Sequence, residues 1–209
     1  MNNKKIMISS ILSGFCIGIG GTIFLSVDNK ILGAFFFAIG LMTICSYGLH
    51  LYTGKVCYFF DNDNKYKLQI PLIWIGNLIG IEILCFLLKY TRYYINLNEK
   101  ALILCQTKIN DNLLSLFILG FFCNIMIYIA VEGYKTIQFE FGKYLSLFLG
   151  VMVFILCGFE HSIADMYYFG IANVWSIDVI IKLITITIGN AFGGIVFHEI
   201  KKNVQQNKK

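Results

Sequence analysis

Six stretches of the chain are apolar for long enough to cross a bilayer: residues 6–27, 31–60, 68–90, 112–131, 143–170 and 176–199. A spanning helix needs about 20 such residues. The second and fifth stretches are longer, and each carries polar residues in its middle. The second is interrupted at Leu51-Tyr52-Thr53-Gly54-Lys55, the fifth at Gly158-Phe159-Glu160-His161-Ser162-Ile163-Ala164-Asp165. Ionisable groups at membrane depth are costly and tend to mark a pathway or a site. The pattern predicts an all-α membrane protein, a single transmembrane domain over residues 1–209 with six transmembrane helices, helices 2 and 5 interrupted.

Composition agrees. Hydrophobic residues make up 57% of the chain and charged residues 14%, against about 25% charged in a soluble domain. Nineteen glycines and one proline suit helices that approach closely, and Gly14, Gly18, Gly20 and Gly21 predict a tight contact for the first helix. The basic start Met1–Lys5 precedes an apolar run without an A-x-A cleavage site, so that run reads as a retained helix. The seven cysteines form no C-x-x-C pair and read as packing residues rather than disulfides or zinc ligands. No cofactor or metal is expected, and the net charge of +5 lies largely in flanks and tails, which speaks of topology rather than nucleic-acid binding. With the N-terminus inside, loops and tails on that side carry ten Lys and Arg, Lys208 and Lys209 among them, against five outside. That bias predicts cytoplasmic termini in the cell inner (plasma) membrane.

An internal repeat is visible. Gly76-Asn77-Leu78-Ile79-Gly80 recurs 113 residues later as Gly189-Asn190-Ala191-Phe192-Gly193, and the two polar interruptions have a similar offset. Residues of about 6–90 and about 112–199 therefore form two copies. Three spans per copy make the copies inverted, and inverted repeats with one broken helix each characterise transporters and channels.

The interruptions suggest their own chemistry. Gly54 permits a helix break, Thr53 can cap a half-helix behind it, and Lys55 compensates an anion or snorkels to the cytoplasmic face. Gly158 permits the second break. Ser162 and Asp165 have capping-box spacing, which leaves His161 at the break, facing a pore or bridging two helices. Asn77, Asn124 and Asn190 can satisfy freed backbone groups. Glu82 is expected to be paired at an interface and His198 to be solvated.

Phe159-Glu160-His161-Ser162-Ile163-Ala164-Asp165-Met166 resembles the fifth-helix motif F-E-H-S-I-A-N-M of the formate/nitrite transporter family. Leu51-Tyr52-Thr53-Gly54 resembles its L-F-T-G motif, Gly189–Gly194 its sixth-helix G-N-x-x-G-G, and Cys123-Asn124 suits its fourth helix. The resemblance implies an aquaporin-like protomer in a homopentamer, each protomer with its own pore. It implies passage of small anions of weak acids, with hydrosulfide, formate and nitrite as partners. His161, Thr53 and Asn190 then belong to the pore centre, with Lys55 beside them. By register from the motifs, Leu41, Leu51 and Tyr52 form an inner constriction, and Phe37 and Phe154 an outer one. The short loops and Thr53-Gly54-Lys55 look most like the hydrosulfide channel branch. The chain departs from the family at Asp165, where Asn is usual, and at Lys55 and His50.

The leading expectation is a passive or pH-gated channel for small monovalent weak-acid anions, hydrosulfide first, and not an enzyme. His161 would donate a hydrogen bond to the anion or lend it a proton. A neutral-solute pore of the glycerol type is the alternative, although the two N-P-A repeats are absent. An intramembrane metalloenzyme using His161, Asp165, His50 and Glu160 is a further one.

Overall fold

Asparagine and aspartate open the long helices. Asn2 accepts from Lys4 N–H, Asn29 from Ile31 and Leu32, Asp63 from Tyr66, and Asn112 from Ser115. Each carboxylate or amide oxygen satisfies a first-turn N–H that has no partner inside the helix. The computed structural model describes residues 2–206 and, among them, nine helices. They are α1 (Asn3–Ser26), α2 (Lys30–Ser46), α3 (Tyr52–Val56), α4 (Asn64–Leu88), α5 (Tyr94–Ile109), α6 (Leu113–Thr136), α7 (Glu140–Leu156), α8 (Ser162–Ala172) and α9 (Ile177–Gln206). Lys208 and Lys209 of the charge count lie outside the described residues.

Helices α1, α4, α6 and α9 are each long and apolar enough to cross a membrane. The second and fifth apolar segments are each divided, into α2 and α3 and into α7 and α8. Helix α5 lies between the third and fourth apolar stretches, where the hydropathy pattern predicts no spanning helix. Its buried face, Leu97, Ala101 and Cys105, repeats every four residues and lies against α8 and α1.

The two halves pack alike. Helix α1 lies against α4 and α2, α6 lies against α9 and α7, and α2 meets α7 between the halves. Glycine sets the first two contacts. A Cβ on Gly80 would stand 1.9 Å from Ile11 O, and one on Gly193 would stand 2.0 Å from Phe121 O. The final glycine of each G-N-x-x-G motif therefore lets two helix backbones touch. Gly14, Gly18, Gly20 and Gly21 are all buried at tight contacts, as their spacing predicts: Gly14 and Gly20 against the backbones of Asn77 and Phe37, Gly18 and Gly21 against the side chains of Leu84 and Tyr167. The outer surface is apolar, with Ile31, Phe86, Leu114, Ile180 and Phe192 exposed.

The chain order gives the molecule two ends. The N-terminus, residues 57–63, the α6–α7 turn and the end of α9 share one end, called proximal here. The α1–α2 turn and α5 lie at the other, distal end.

Candidate functional site

Both helix breaks use one backbone device. Gly48, at φ 64°, follows α2, and Gly158, at φ 70°, follows α7. A left-handed residue at that point strains any side chain with a Cβ. After each glycine the chain folds back identically. Leu49 N–H reaches Ile44 O and Phe159 N–H reaches Phe154 O, both at 2.9 Å. Gly54 does not make the first break. It lies inside α3, and the glycine that carries the positive φ is Gly48.

Asn77 and Asn190 stitch the breaks to the long helices. Asn77 Oδ1 accepts from Tyr52 N–H at 2.9 Å, while Nδ2 donates to Ser10 O at 2.8 Å and His50 O at 3.0 Å. Asn190 Oδ1 accepts from Ser162 N–H at 2.9 Å, while Nδ2 donates to Gly120 O at 2.8 Å and Glu160 O at 2.9 Å. Both asparagines are fully buried. Asn124 Nδ2 donates to Thr53 O at 3.1 Å. These bonds meet the requirement that freed backbone groups be satisfied inside the protein.

The cap of α8 differs from the expected capping box. His161 is the N-cap residue, and its Nδ1 accepts from Ala164 N–H at 3.1 Å. Ser162 Oγ is buried without a partner. Asp165 turns away from the cap: its Oδ1 accepts from Lys108 Nζ at 2.9 Å, and the same ammonium pairs with Glu160 Oε2. Lys108 comes from α5, so the sequence reading, which counted it as a loop charge, missed it. The signal was present: Lys108 follows Cys105 on the face that buries Leu97 and Ala101.

The cap fixes the imidazole. Ala164 N–H can only donate, so Nδ1 is the acceptor and the ring proton lies on Nε2. Nε2 lies 3.0 Å from Thr53 Oγ1 and donates to it. The hydroxyl hydrogen of Thr53 is then free for another acceptor. Both residues are buried, on α3 and at the start of α8, so this bond joins the two broken helices. Phe154 stacks on His161 at 5.5 Å, and Phe37 meets Phe154 edge-on at 6.0 Å.

A pocket lies on each side of this contact. The distal one, of about 120 Å³, is lined by Phe154, His161, Lys108 and Asp165 among others. The proximal one, also about 120 Å³, is lined by Leu41, Leu51, Cys45, Lys55 and Lys135. The His161–Thr53 contact lies between a proximal pocket lined by Lys55 and Lys135 and a distal pocket lined by Lys108 and Asp165, and it joins residues of both interrupted segments. The match of this chain to the family model for formate/nitrite transporters runs over residues 1–201. The chain belongs to the formate/nitrite transporter family.

Relatives within the family are distant but nearly full length. An uncharacterised transporter of Bacillus subtilis, YwcJ, is 27% identical over 92% of this chain and 85% of its own. The nitrite transporter NirC of Salmonella typhimurium is 23% identical over 91% and 79%. In fold, the chain is similar to a pentameric formate channel with formate bound, with a TM-score of 0.83 at 24% identity over 98% of this chain and 97% of that one. It is also similar to an FNT family ion channel, with a TM-score of 0.83 at 21% identity over 98% and 91%. The family is one of transporters rather than enzymes, and its apolar helices make this chain an integral membrane protein.

Other expected residues of the transporter site sit as follows. Lys55 lines the proximal pocket rather than the Thr53–His161 contact. Tyr52 is buried, and its hydroxyl donates to Thr187 O on α9 at 3.2 Å. The ligand set imagined for a metalloenzyme does not assemble: His50 Nδ1 bonds Ser9 Oγ at 2.8 Å, while Glu160 and Asp165 hold Lys108. Glu82 accepts from Trp175 Nε1 at 3.1 Å, which supplies the partner its sequence could not name. His198 is not solvated. It is buried between Tyr128 Oη at 3.0 Å and Asp61 Oδ2 at 2.6 Å, because residues 57–63 fold over the end of α9.

Proposed function

We propose that the protein is a passive or pH-gated channel for small monovalent anions of weak acids, hydrosulfide, formate and nitrite, with one pore in each protomer of a homopentamer. The observation that carries this reading is the buried bond from His161 Nε2 to Thr53 Oγ1, with a pocket on either side. The path runs from the distal pocket past Phe37 and Phe154, across His161 and Thr53, and past Leu41 and Leu51. Six spans in an inverted aquaporin-like arrangement, with both termini cytoplasmic, would make the proximal pocket the inner vestibule.

An anion entering an apolar ring loses water and needs compensation. Lys55 and Lys135 supply it at the proximal end, where neither forms an ion pair among the described residues. Lys135 Nζ instead donates to Tyr58 Oη at 2.9 Å. At the centre, a neutral imidazole with its proton on Nε2 favours hydrogen-bond donation over proton loan. Giving up Nε2–H would leave an imidazolate, and taking a proton on Nδ1 would break the α8 cap. Hydrosulfide is small and weakly hydrated for an anion, which suits passage through two apolar rings, and the relatives named as nitrite and formate transporters favour those anions. Flux into proteoliposomes of hydrosulfide, formate, nitrite, chloride and glycerol tests the reading. Weak-acid anions should pass and glycerol should not; equal passage of glycerol and formate overturns it.

A further inference from the structure

Three side chains able to ligate a metal converge at the proximal end of the molecule. Asp61, from the segment after α3, and His198 and Glu199, from α9, each place one ligand atom within 4.8 Å of those of the other two. His198 is buried, with its ring edge-on to Tyr58 at 4.9 Å and to Tyr128 at 5.5 Å. Its Nδ1 lies 3.0 Å from Tyr128 Oη, and its Nε2 faces Asp61 Oδ2 at 2.6 Å. With the ring proton on Nδ1, Tyr128 Oη accepts it and Nε2 offers its lone pair to the cluster. A hydrogen-bond partner on the far nitrogen is what orients a metal-ligating imidazole.

Glu199 is the member that a simple His198–Asp61 hydrogen bond leaves unexplained. Its Oε1 is buried without a hydrogen-bond partner, and the residue forms no ion pair among the described residues. A buried acceptor left in that condition is destabilising, and a cation between the three side chains relieves it. The neighbouring lysines are engaged elsewhere. Lys201 pairs with Glu132 Oε1 at 2.6 Å, and Lys202 takes only Oδ1 of Asp61, which leaves Oδ2 for the cluster.

The donor set selects the ion. One imidazole nitrogen with two carboxylate oxygens suits a divalent transition metal such as Zn2+, whereas Mg2+ and Ca2+ favour oxygen ligands alone. Ligand bonds of about 2.0–2.2 Å around a tetrahedral ion draw Nε2 and Oδ2 apart from 2.6 Å to about 3.4 Å. Asp61, the exposed member of the three and part of the segment between α3 and α4, is free to make that move. A pocket of about 370 Å³ beside Asp61 and His198 has room for the water that completes the coordination.

We propose that Asp61, His198 and Glu199 form a binding site for one divalent transition-metal ion, Zn2+ by preference, which clasps the segment after α3 to the end of α9. The site stands on these side chains alone and does not depend on the channel reading. The ion ligates Nε2 of His198 and one oxygen of each carboxylate. Tyr128 holds the imidazole from behind, and Lys202 holds the other oxygen of Asp61.

Tag-free, full-length protein, stripped with a chelator and held in lipid nanodiscs, is titrated with Zn2+ against a chromogenic chelator. The wild type should bind one Zn2+ per chain, and His198→Ala, Asp61→Asn and Glu199→Gln should each weaken that binding by about tenfold or more. Asp61→Asn and Glu199→Gln keep the shape of their side chains, so the test does not depend on a variant that misfolds. No binding by the wild type overturns the site. Binding as tight in all three variants as in the wild type places the ion elsewhere and also overturns it. Unchanged affinity in Glu199→Gln alone overturns the three-ligand set. Zn2+ should also raise the thermal unfolding midpoint of the wild type and not that of His198→Ala, since an ion bound only by the folded chain stabilises it. Mg2+ at the same concentration should move neither midpoint; a rise equal to that with Zn2+ overturns the assignment to a transition metal.

Discussion

Asn77 and Asn190, 113 residues apart, make the same three hydrogen bonds. Each accepts from the first N–H of a half-helix, Tyr52 or Ser162. Each donates to a carbonyl of the break, His50 or Glu160, and to one of a neighbouring long helix, Ser10 or Gly120. Replacing Asn190 by Ala leaves the buried Ser162 N–H and the Glu160 carbonyl without the Asn190 partner, each worth roughly 1–3 kcal/mol, while the Gly120 carbonyl keeps its place in the α6 ladder. Asn77→Ala and Asn190→Ala should each lower the thermal unfolding midpoint of the detergent-solubilised protein by several degrees. A midpoint unchanged in both would show that the breaks are held by other contacts.

Thr53 Oγ1 is the acceptor for His161 Nε2–H. Thr53→Val keeps the shape and removes the acceptor, while Thr53→Ser keeps the hydroxyl. Formate flux should fall about tenfold in the Val variant, the equivalent of about 1.4 kcal/mol, and stay near wild type in the Ser variant. Equal flux in the two would deny the hydroxyl a part in conduction.

Glycines in the two halves should separate cleanly on substitution. A Cβ at Gly193 would lie 2.0 Å from a backbone oxygen, whereas one at Gly54 meets nothing nearer than Val131 Cγ2 at 3.6 Å. Gly193→Ala forces two helices apart and should abolish stable expression or cost more than the roughly 1–3 kcal/mol of ordinary overpacking. Gly54→Ala should be tolerated in the fold, since φ there is helical. Gly48→Ala meets no atom but sits at φ 64°, a strain of about 1–3 kcal/mol. Thermal midpoints in the order Gly54→Ala, Gly48→Ala, Gly193→Ala, highest first, are expected.

Asp61 lies outside the spanning segments, on residues that fold over the end of α9. Hydrogen bonds from Lys202 and then His198 hold its carboxyl below the usual carboxylate range. A lowered folded-state pKa adds stability above the ordinary value of the unfolded carboxyl, and that stability is lost as pH falls through the folded value. Wild type should therefore unfold at higher temperature than Asp61→Asn at pH 7, and the gap should narrow in acid below pH ~4. The exposure of Asp61 keeps the effect small and reduces it further in high salt. A gap that is constant from pH 7 to pH 3 would remove the ion pairs as its cause.

Much of this arrangement was legible in the residues. The apolar stretches, their two interruptions and the G-N-x-x-G repeat depend on composition and short-range spacing, and the helices follow them. The family motif around His161 is a contiguous string, so it could be read directly. Local rules misplaced details where two residues competed for one task. Ser162 and Asp165 have capping-box spacing, yet His161 caps α8 because Lys108 draws the Asp165 carboxylate away. Gly54 and Gly48 both permit a break, and the chain reversal uses the one that follows α2.

The sequence by itself determined a membrane protein of this family, with two broken helices and a histidine at the second break. Tertiary structure alone decided which groups face that histidine. Thr53 meets His161 across 108 residues, and Lys108 reaches Glu160 and Asp165 across 52 and 57. Such partners are chosen by how helices cross, and the crossing is set by backbone contacts at glycine, such as Gly80 on Ile11 and Gly193 on Phe121. Charge balance in an enclosed pocket depends on all its neighbours at once, and spacing along one helix does not encode it.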